Sequence, residues 1–217
     1  MQIINLSDRP SVLGQYLKEI RSVDIQSDPL RFRHNIARIG WLMAYEISRT
    51  LRYTAQTVRT PLATTTVSVP ADAVVLATIL RAGLPLHQGF LDVFDRAENA
   101  FVSAFREESA DGRLSIHVEY KAAPDLNGKT LLLVDPMLAT GGSMHLAYEA
   151  LLQNGTPAHL HLASVIASPQ GVDFIRNRFA DTDATLWVAA MDETLNDQAY
   201  IVPGLGDAGD LAFGCKL

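Results

Sequence analysis

Hydrophobic residues recur at helical spacing along the first part of the chain and in short unbroken runs along the rest. Ser11–Val23 and Leu30–Tyr53 carry the helical pattern. In the second segment Ile36, Ile39, Leu42, Met43, Ile47 and Leu51 fall on one side, joined by Trp41 and Tyr45, with arginines interleaved. From residue 72 the pattern changes. Ala73–Leu80, Ala100–Phe105, Thr130–Val134, Leu160–Ala167 and Thr185–Ala190 are continuous apolar runs, which predict strands covered on both faces. Leu84–Phe94, Ser143–Asn154 and Pro169–Phe179 read as crossover helices, with Gly155 as a C-terminal stop and Pro169 as a helix start. Strands alternating with helices predict an α/β fold, a central parallel sheet flanked by helices. Ser115–Lys121 alternates polar with apolar, which predicts a hairpin arm over residues 107–124. Residues 192–217 are rich in Pro and Gly and predict a loop excursion without a clear helix. No repeat, linker or low-complexity stretch interrupts the order, so residues 1–217 are expected to form one domain with a helical part over 1–60.

Ligands of open parallel sheets sit at the carboxyl ends of the strands. Three of the predicted strands end in Leu80-Arg81-Ala82-Gly83, Phe105-Arg106-Glu107 and Val134-Asp135, which would bring two arginines and a carboxylate to one edge. The most informative stretch follows the third: Asp135-Pro136-Met137-Leu138-Ala139-Thr140-Gly141-Gly142-Ser143. An acid at a strand end can accept hydrogen bonds from ribose hydroxyls. The glycines let backbone N–H groups approach a phosphate, the following helix start favours negative charge, and Thr140 and Ser143 add hydroxyl donors. Gly-Gly-Ser alone would equally suit an ordinary βα turn with a Ser N-cap. Arg81 and Arg106 could each fork onto diphosphate oxygens, or each be a plain surface residue. Their convergence with the Thr-Gly-Gly-Ser loop favours the anion-binding reading.

Gly204-Leu205-Gly206-Asp207-Ala208-Gly209 matches the dinucleotide fingerprint in letters only, because no strand leads into it and no βαβ unit has room to follow. A rigid loop offering amide donors and carbonyl acceptors to a flat polar ligand fits better, with Asp207 adding a carboxylate. A glycine-rich surface turn is the plain alternative.

Composition narrows the classes. With 18 Lys+Arg against 24 Asp+Glu the net charge is −6, which argues against broad nucleic-acid binding. The charge is uneven, +4 over residues 1–60 and −10 over the remainder, and the basic part reads first as a solvated helical face. The single cysteine, Cys215, excludes an internal disulfide and a multi-cysteine zinc site, and points to a reducing cytoplasm. No run reaches membrane-spanning length and no signal peptide is visible at the N-terminus. A P-loop and a Gly-x-Ser-x-Gly elbow are both absent, and His159 and His161 read as structural.

Taken together, Ile79–Leu84, Arg106-Glu107-Glu108, Val134–Ser143 and Tyr200–Asp210 resemble the uracil phosphoribosyltransferases, a type I phosphoribosyltransferase family, over most of the chain from Arg31-Phe32-Arg33 onward. The resemblance implies transfer of phosphoribose from 5-phosphoribosyl 1-diphosphate (PRPP) to uracil, giving UMP and diphosphate. It implies that Asp135, Pro136, Met137, Leu138, Ala139, Thr140, Gly141, Gly142 and Ser143 hold the ribose and 5′-phosphate, and that Arg81 and Arg106 hold the diphosphate. Ile201, Gly206, Asp207 and Ala208 would hold uracil within a hood over 192–217, Asp207 also facing the sugar diphosphate. Arg106, Asp135 and Asp207 are thus the expected catalytic residues. Mg²⁺ is implied as a companion of the diphosphate, with no protein metal cage. The remaining expectations are a cytoplasmic homodimer, with a tetramer as the alternative, no nucleic acid and no membrane; GTP activation occurs in some members of the family, and the residues do not decide it here. A regulatory or non-enzymatic pyrimidine-nucleotide-binding paralogue on the same fold is the alternative. Departures from the family pattern are Ala104-Phe105 before Arg106, Tyr120-Lys121-Ala122 in the arm, Leu84-Pro85-Leu86-His87 at a helix start, and Leu211-Ala212 and Cys215 near the end.

Overall fold

In the computed structural model the chain is described at residues 1–108 and 114–215, with side chains at 1–103 and 119–215. In chain order the elements are β1 (Gln2–Asn5), α1 (Leu13–Arg21), α2 (Val23–Gln26), α3 (Pro29–Ser48), β2 (Tyr53–Arg59), β3 (Thr64–Pro70), β4 (Val74–Leu80) and α4 (Leu84–Leu91). Then follow β5 (Glu98–Glu108), β6 (Leu114–Ala122), β7 (Thr130–Val134), β8 (Met137–Leu138), α5 (Gly142–Leu151), β9 (His159–Ala167), α6 (Pro169–Arg178), β10 (Ala184–Met191), β11 (Thr194–Leu195), β12 (Ile201–Val202) and α7 (Ala208–Phe213).

The eight-stranded sheet runs β1-β10-β9-β7-β4-β5-β6, with β8 beside β9. Every pairing in it is parallel except β5 with β6, which is the base of the expected arm. The fold is therefore a mixed, mostly parallel sheet between two helical layers. Side chains alternate along each strand. Leu132 and Val134 point to the layer of α1, α3 and α4, whereas Leu131 and Leu133 point to that of α5 and α6. All five residues of β7 are buried, which explains its unbroken apolar run.

The N-terminal layer is fixed by capping and by one polar clamp. Asp28 accepts hydrogen bonds from the N–H groups of Leu30 (2.9 Å) and Arg31 (3.1 Å), and Pro29 opens α3. Glu19 of α1, 6% exposed, takes two hydrogen bonds from Arg31 (2.8 and 2.9 Å) and one each from Asn35 (2.7 Å) and Gln15 (2.9 Å). These donors, Arg31 foremost, hold the Glu19 carboxyl down at about 2.

Three sequence expectations change. The second helix ends at Ser48 rather than Tyr53, so residues 1–60 are only partly helical. Ser48 Oγ and Thr50 Oγ1 donate to the carbonyls of Tyr45 and Ile47 (both 2.7 Å), competing with helix propagation, and the Thr- and Val-rich segment beyond pairs as the β2–β3 hairpin. The run Gln2–Asn5 forms an edge strand beside β10 that was too short to read. The tail is not helix-free, because Asp207 caps α7 by accepting from the Asp210 N–H at 2.9 Å. The tip of the arm expected over 107–124 lies outside the described residues.

Because Glu19 titrates lower in the folded chain than its ordinary 4.5, its contribution is complete above that pH and is lost as pH falls from 4.5 toward 2. Glu19→Gln is expected to be less stable than wild type at pH 7 and to show a flatter loss between pH 4.5 and 2. Denaturant titrations across that range check both slopes.

Candidate active site

Two neighbouring strands deliver the central groups. β4 and β7 pair in register at Thr78 and Val134, and Thr78 Oγ1 donates to the Val134 carbonyl (3.2 Å) at their carboxyl ends. Asp135 follows β7 directly, and its N–H donates to the Ala163 carbonyl of β9 at 3.0 Å. Arg81 follows β4 across a cis Leu80–Arg81 peptide. The turn after it must be glycine: a Cβ on Gly83 would lie 2.1 Å from Thr78 Oγ1 and 2.7 Å from the Ile79 carbonyl oxygen.

The loop from Pro136 to Gly141 is held from below. Val165 and Ile166 donate to the Pro136 carbonyl (3.1 and 3.0 Å), and Ser168 N–H donates to the Leu138 carbonyl (3.0 Å). Ser168 Oγ, fully buried, donates to the Ala139 carbonyl (2.6 Å) while accepting from Gly171 N–H (2.9 Å) at the start of α6. Gly141 enters α5 at φ +82°, where a Cβ would meet the Phe174 ring at 2.7 Å. The loop therefore presents its backbone to the cleft with little freedom to shift.

The opposite wall is the segment after β12. Arg21 of α1 donates to both oxygens of Asp192 (2.9 and 2.6 Å) and to the Gly204 carbonyl (2.9 Å), while Gly204 N–H donates to Asp192 (2.9 Å). The Asp192 side chain is 4% exposed, so the pair anchors this wall in the interior. Arg33 donates to the Ala212 carbonyl at 2.7 Å, tying α7 to α3.

Between these walls lies an open cleft of about 510 Å³. Of the residues singled out in the sequence, Arg81, Asp135, Met137, Ala139, Ser143, Gly206, Asp207 and Ala208 come together along it. A shallow pocket of about 20 Å³ beside it is lined by Leu138, Thr140 and Gly141 together with Asp135 and Ser143. Pro136 and Ile201 are instead buried in packing, Ile201 at 4% exposure, and Gly142 lines neither space. Arg106 lies on β5, and its side chain falls outside the described residues.

Sequence reasoning missed Gln198, Ala199 and Tyr200, which also line the cleft. Their loop is shaped by Asn196, whose side-chain oxygen accepts from the N–H groups of Gln198 (3.1 Å) and Tyr200 (2.9 Å). Ala199 sits at φ +60°, the one non-glycine residue at positive φ among those described. The Asn in a short turn was the available signal. His159 and His161 lie at the amino end of β9, away from the cleft. Trp187 Nε1 donates to His161 Nδ1 (3.1 Å), and burial first, with His159 second, drives the His161 ring down to about 3, in keeping with a structural pair.

A model of the family described as uracil phosphoribosyltransferase matches residues 8–215. The chain is similar to a uracil phosphoribosyltransferase of Porphyromonas gingivalis, 56% identical over all of both chains. It is 42% identical to one of Methanothermobacter thermautotrophicus, over 86% of this chain and 85% of that one. Among solved structures, the AQ2163 protein of Aquifex aeolicus superposes with a TM-score of 0.87 at 29% identity, covering all of both chains.

Ser168→Ala would strip a buried donor from Ala139 and a buried acceptor from Gly171. A loss of about 1–3 kcal/mol is expected, read as a lowered denaturation midpoint.

Proposed function

The chain belongs to the uracil phosphoribosyltransferase family and is an enzyme converting uracil and PRPP to UMP and diphosphate; we propose that it does so in the cleft between Asp135–Ser143 and Gly206–Ala208. The observation that carries this assignment is convergence. A carboxylate, a phosphate-sized backbone loop, an arginine and a glycine-rich wall meet around one space large enough for a nucleotide.

Displacement at the anomeric carbon passes through a state with positive charge on the ribose ring, so alignment and charge stabilisation supply most of the rate. Asp135 accepts from the ribose hydroxyls, and the N–H groups of the 137–143 loop with the hydroxyls of Thr140 and Ser143 seat the 5′-phosphate. Backbone groups at Gly206 and Ala208 read the polar edge of uracil and direct its nitrogen at the sugar. Arg81 and Arg106 take the departing diphosphate. Asp135 and Asp207 are two cleft carboxylates, and among the described residues no group of three acidic, His or Cys side chains could cage a metal. This set suits Mg²⁺ that enters on the diphosphate and keeps water ligands. When bound, the ion neutralises charge on the leaving group.

The arm over 107–124 closes over the cleft in this reading, excluding water that would hydrolyse PRPP. We place the enzyme in the cytoplasm, on its exposed lone thiol Cys215. We also propose a homodimer. Every residue of β2 is exposed, as is nearly all of β3, and Tyr53, Val58, Leu62 and Val67 stand in water. A two-stranded hairpin on its own is marginal, which a second copy packed on it would remedy.

Labelled uracil incubated with PRPP and Mg²⁺ should yield UMP, and its absence would refute the active-site reading. Asn is as good an N-cap as Asp, so Asp207→Asn keeps α7 while removing a cleft charge. It and Arg106→Ala are each expected to lower kcat/KM by roughly 10²–10³ with unchanged circular dichroism. Wild-type rates in both would remove those residues from the site. For the assembly, Val58→Lys with Val67→Lys should halve the mass seen by light scattering.

A further inference from the structure

Arg81 is already engaged by the chain itself at the cleft. One terminal nitrogen of its guanidinium donates to the Gly214 carbonyl (3.2 Å) and stands 3.6 Å from the Asp210 carboxylate. Its Nε is buried with no hydrogen-bond partner. Asp210 lies in the first turn of α7 and Gly214 caps its far end, and Asp207 and Ala208 at the start of the same helix line the cleft.

The pairing is built to be broken. At 39% and 37% side-chain exposure the Arg81–Asp210 contact is a weak, screened one. A diphosphate carries more charge than one carboxylate and can accept from several guanidinium N–H groups at once. An arriving diphosphate therefore outcompetes Asp210 and the Gly214 carbonyl. Until then, Asp210 keeps the arginine from collapsing elsewhere in the cleft, and its negative charge opposes anions that offer less than a diphosphate.

We propose that Asp210 is a positioning residue that holds Arg81 on α7 before substrate binds and competes with diphosphate for it. The inference rests on Arg81 being a diphosphate ligand, and three proteins separate the two claims. Titrate inorganic pyrophosphate with Mg²⁺ into wild type, Arg81→Ala and Asp210→Asn. Arg81→Ala should bind it far more weakly. Asp210→Asn should bind it more tightly, on the order of three- to tenfold, with an unchanged thermal midpoint. KM for PRPP should fall in the same direction, the gain should shrink in high salt, and Asp210→Glu should restore wild-type affinity. A structural role alone would weaken binding and lower the midpoint. If Arg81→Ala binds pyrophosphate as wild type does, the site assignment fails and the inference with it. If Arg81→Ala loses binding but Asp210→Asn matches or falls below wild type, only the competition is refuted. Amide exchange is a second measurement that does not depend on a variant: pyrophosphate should speed exchange at the Gly214 N–H, which donates to the Asp210 carbonyl at 2.8 Å.

Discussion

The buried pair of Arg21 with Asp192 is the constraint on which the cleft depends. It joins α1, the end of β10 and both backbone groups of Gly204, so that one carboxylate and one guanidinium set where the glycine-rich wall stands. Asp192, 4% exposed, would carry the penalty of an unpaired buried charge if Arg21 were removed. Both are therefore kept together with the loop they clamp. Gln26 reinforces the arrangement when its amide is assigned with the nitrogen toward the carbonyls of Ile20 and Leu205. Placement of the glycine-rich wall is thus decided at a distance from the cleft it borders.

The other wall is set by sheet register. Parallel pairing of β4 with β7 and of β7 with β9 brings Arg81, Asp135 and the loop over Ser168 to one edge without any of them needing contact with the others. The core supplies the stiffness, because the strand interiors are apolar on both faces and pack against a helical layer on each side. Polar residues gather where strands end, which is where a ligand can be met without burying unsatisfied groups. The two walls differ in kind: one hangs from a sheet edge, and the other from an ion pair.

Much of this was legible in the residues. Continuous apolar runs marked β4, β7, β9 and β10 because two-sided burial leaves no polar alternation, and the acid, glycines and hydroxyls after β7 marked a loop that lines the cleft. The elements that escaped have weak local signals for physical reasons. Gln2–Asn5 is ordered by pairing along β10, a contact remote in sequence. The β2–β3 hairpin buries almost nothing and so leaves no hydrophobic stripe. α7 is one short turn whose capping residue, Asp207, had been read for its chemistry alone. Gln198, Ala199 and Tyr200 reach the cleft through a turn that Asn196 shapes, and nothing in their own side chains announces it.

The placement of the two ends of the sheet bears on how the protein can be handled. β1 pairs with the amino-terminal part of β10, Gln2 opposite Thr185, so the chain start lies on the side of the sheet opposite the cleft. The Gly214 carbonyl, by contrast, touches Arg81. A fusion partner or affinity tag attached on the carboxyl-terminal side of Gly214 would begin near Arg81, whereas one joined ahead of Met1 would start from the opposite end of the strands. For immobilisation, labelling or display, the amino end is the handle that leaves the chemistry clear.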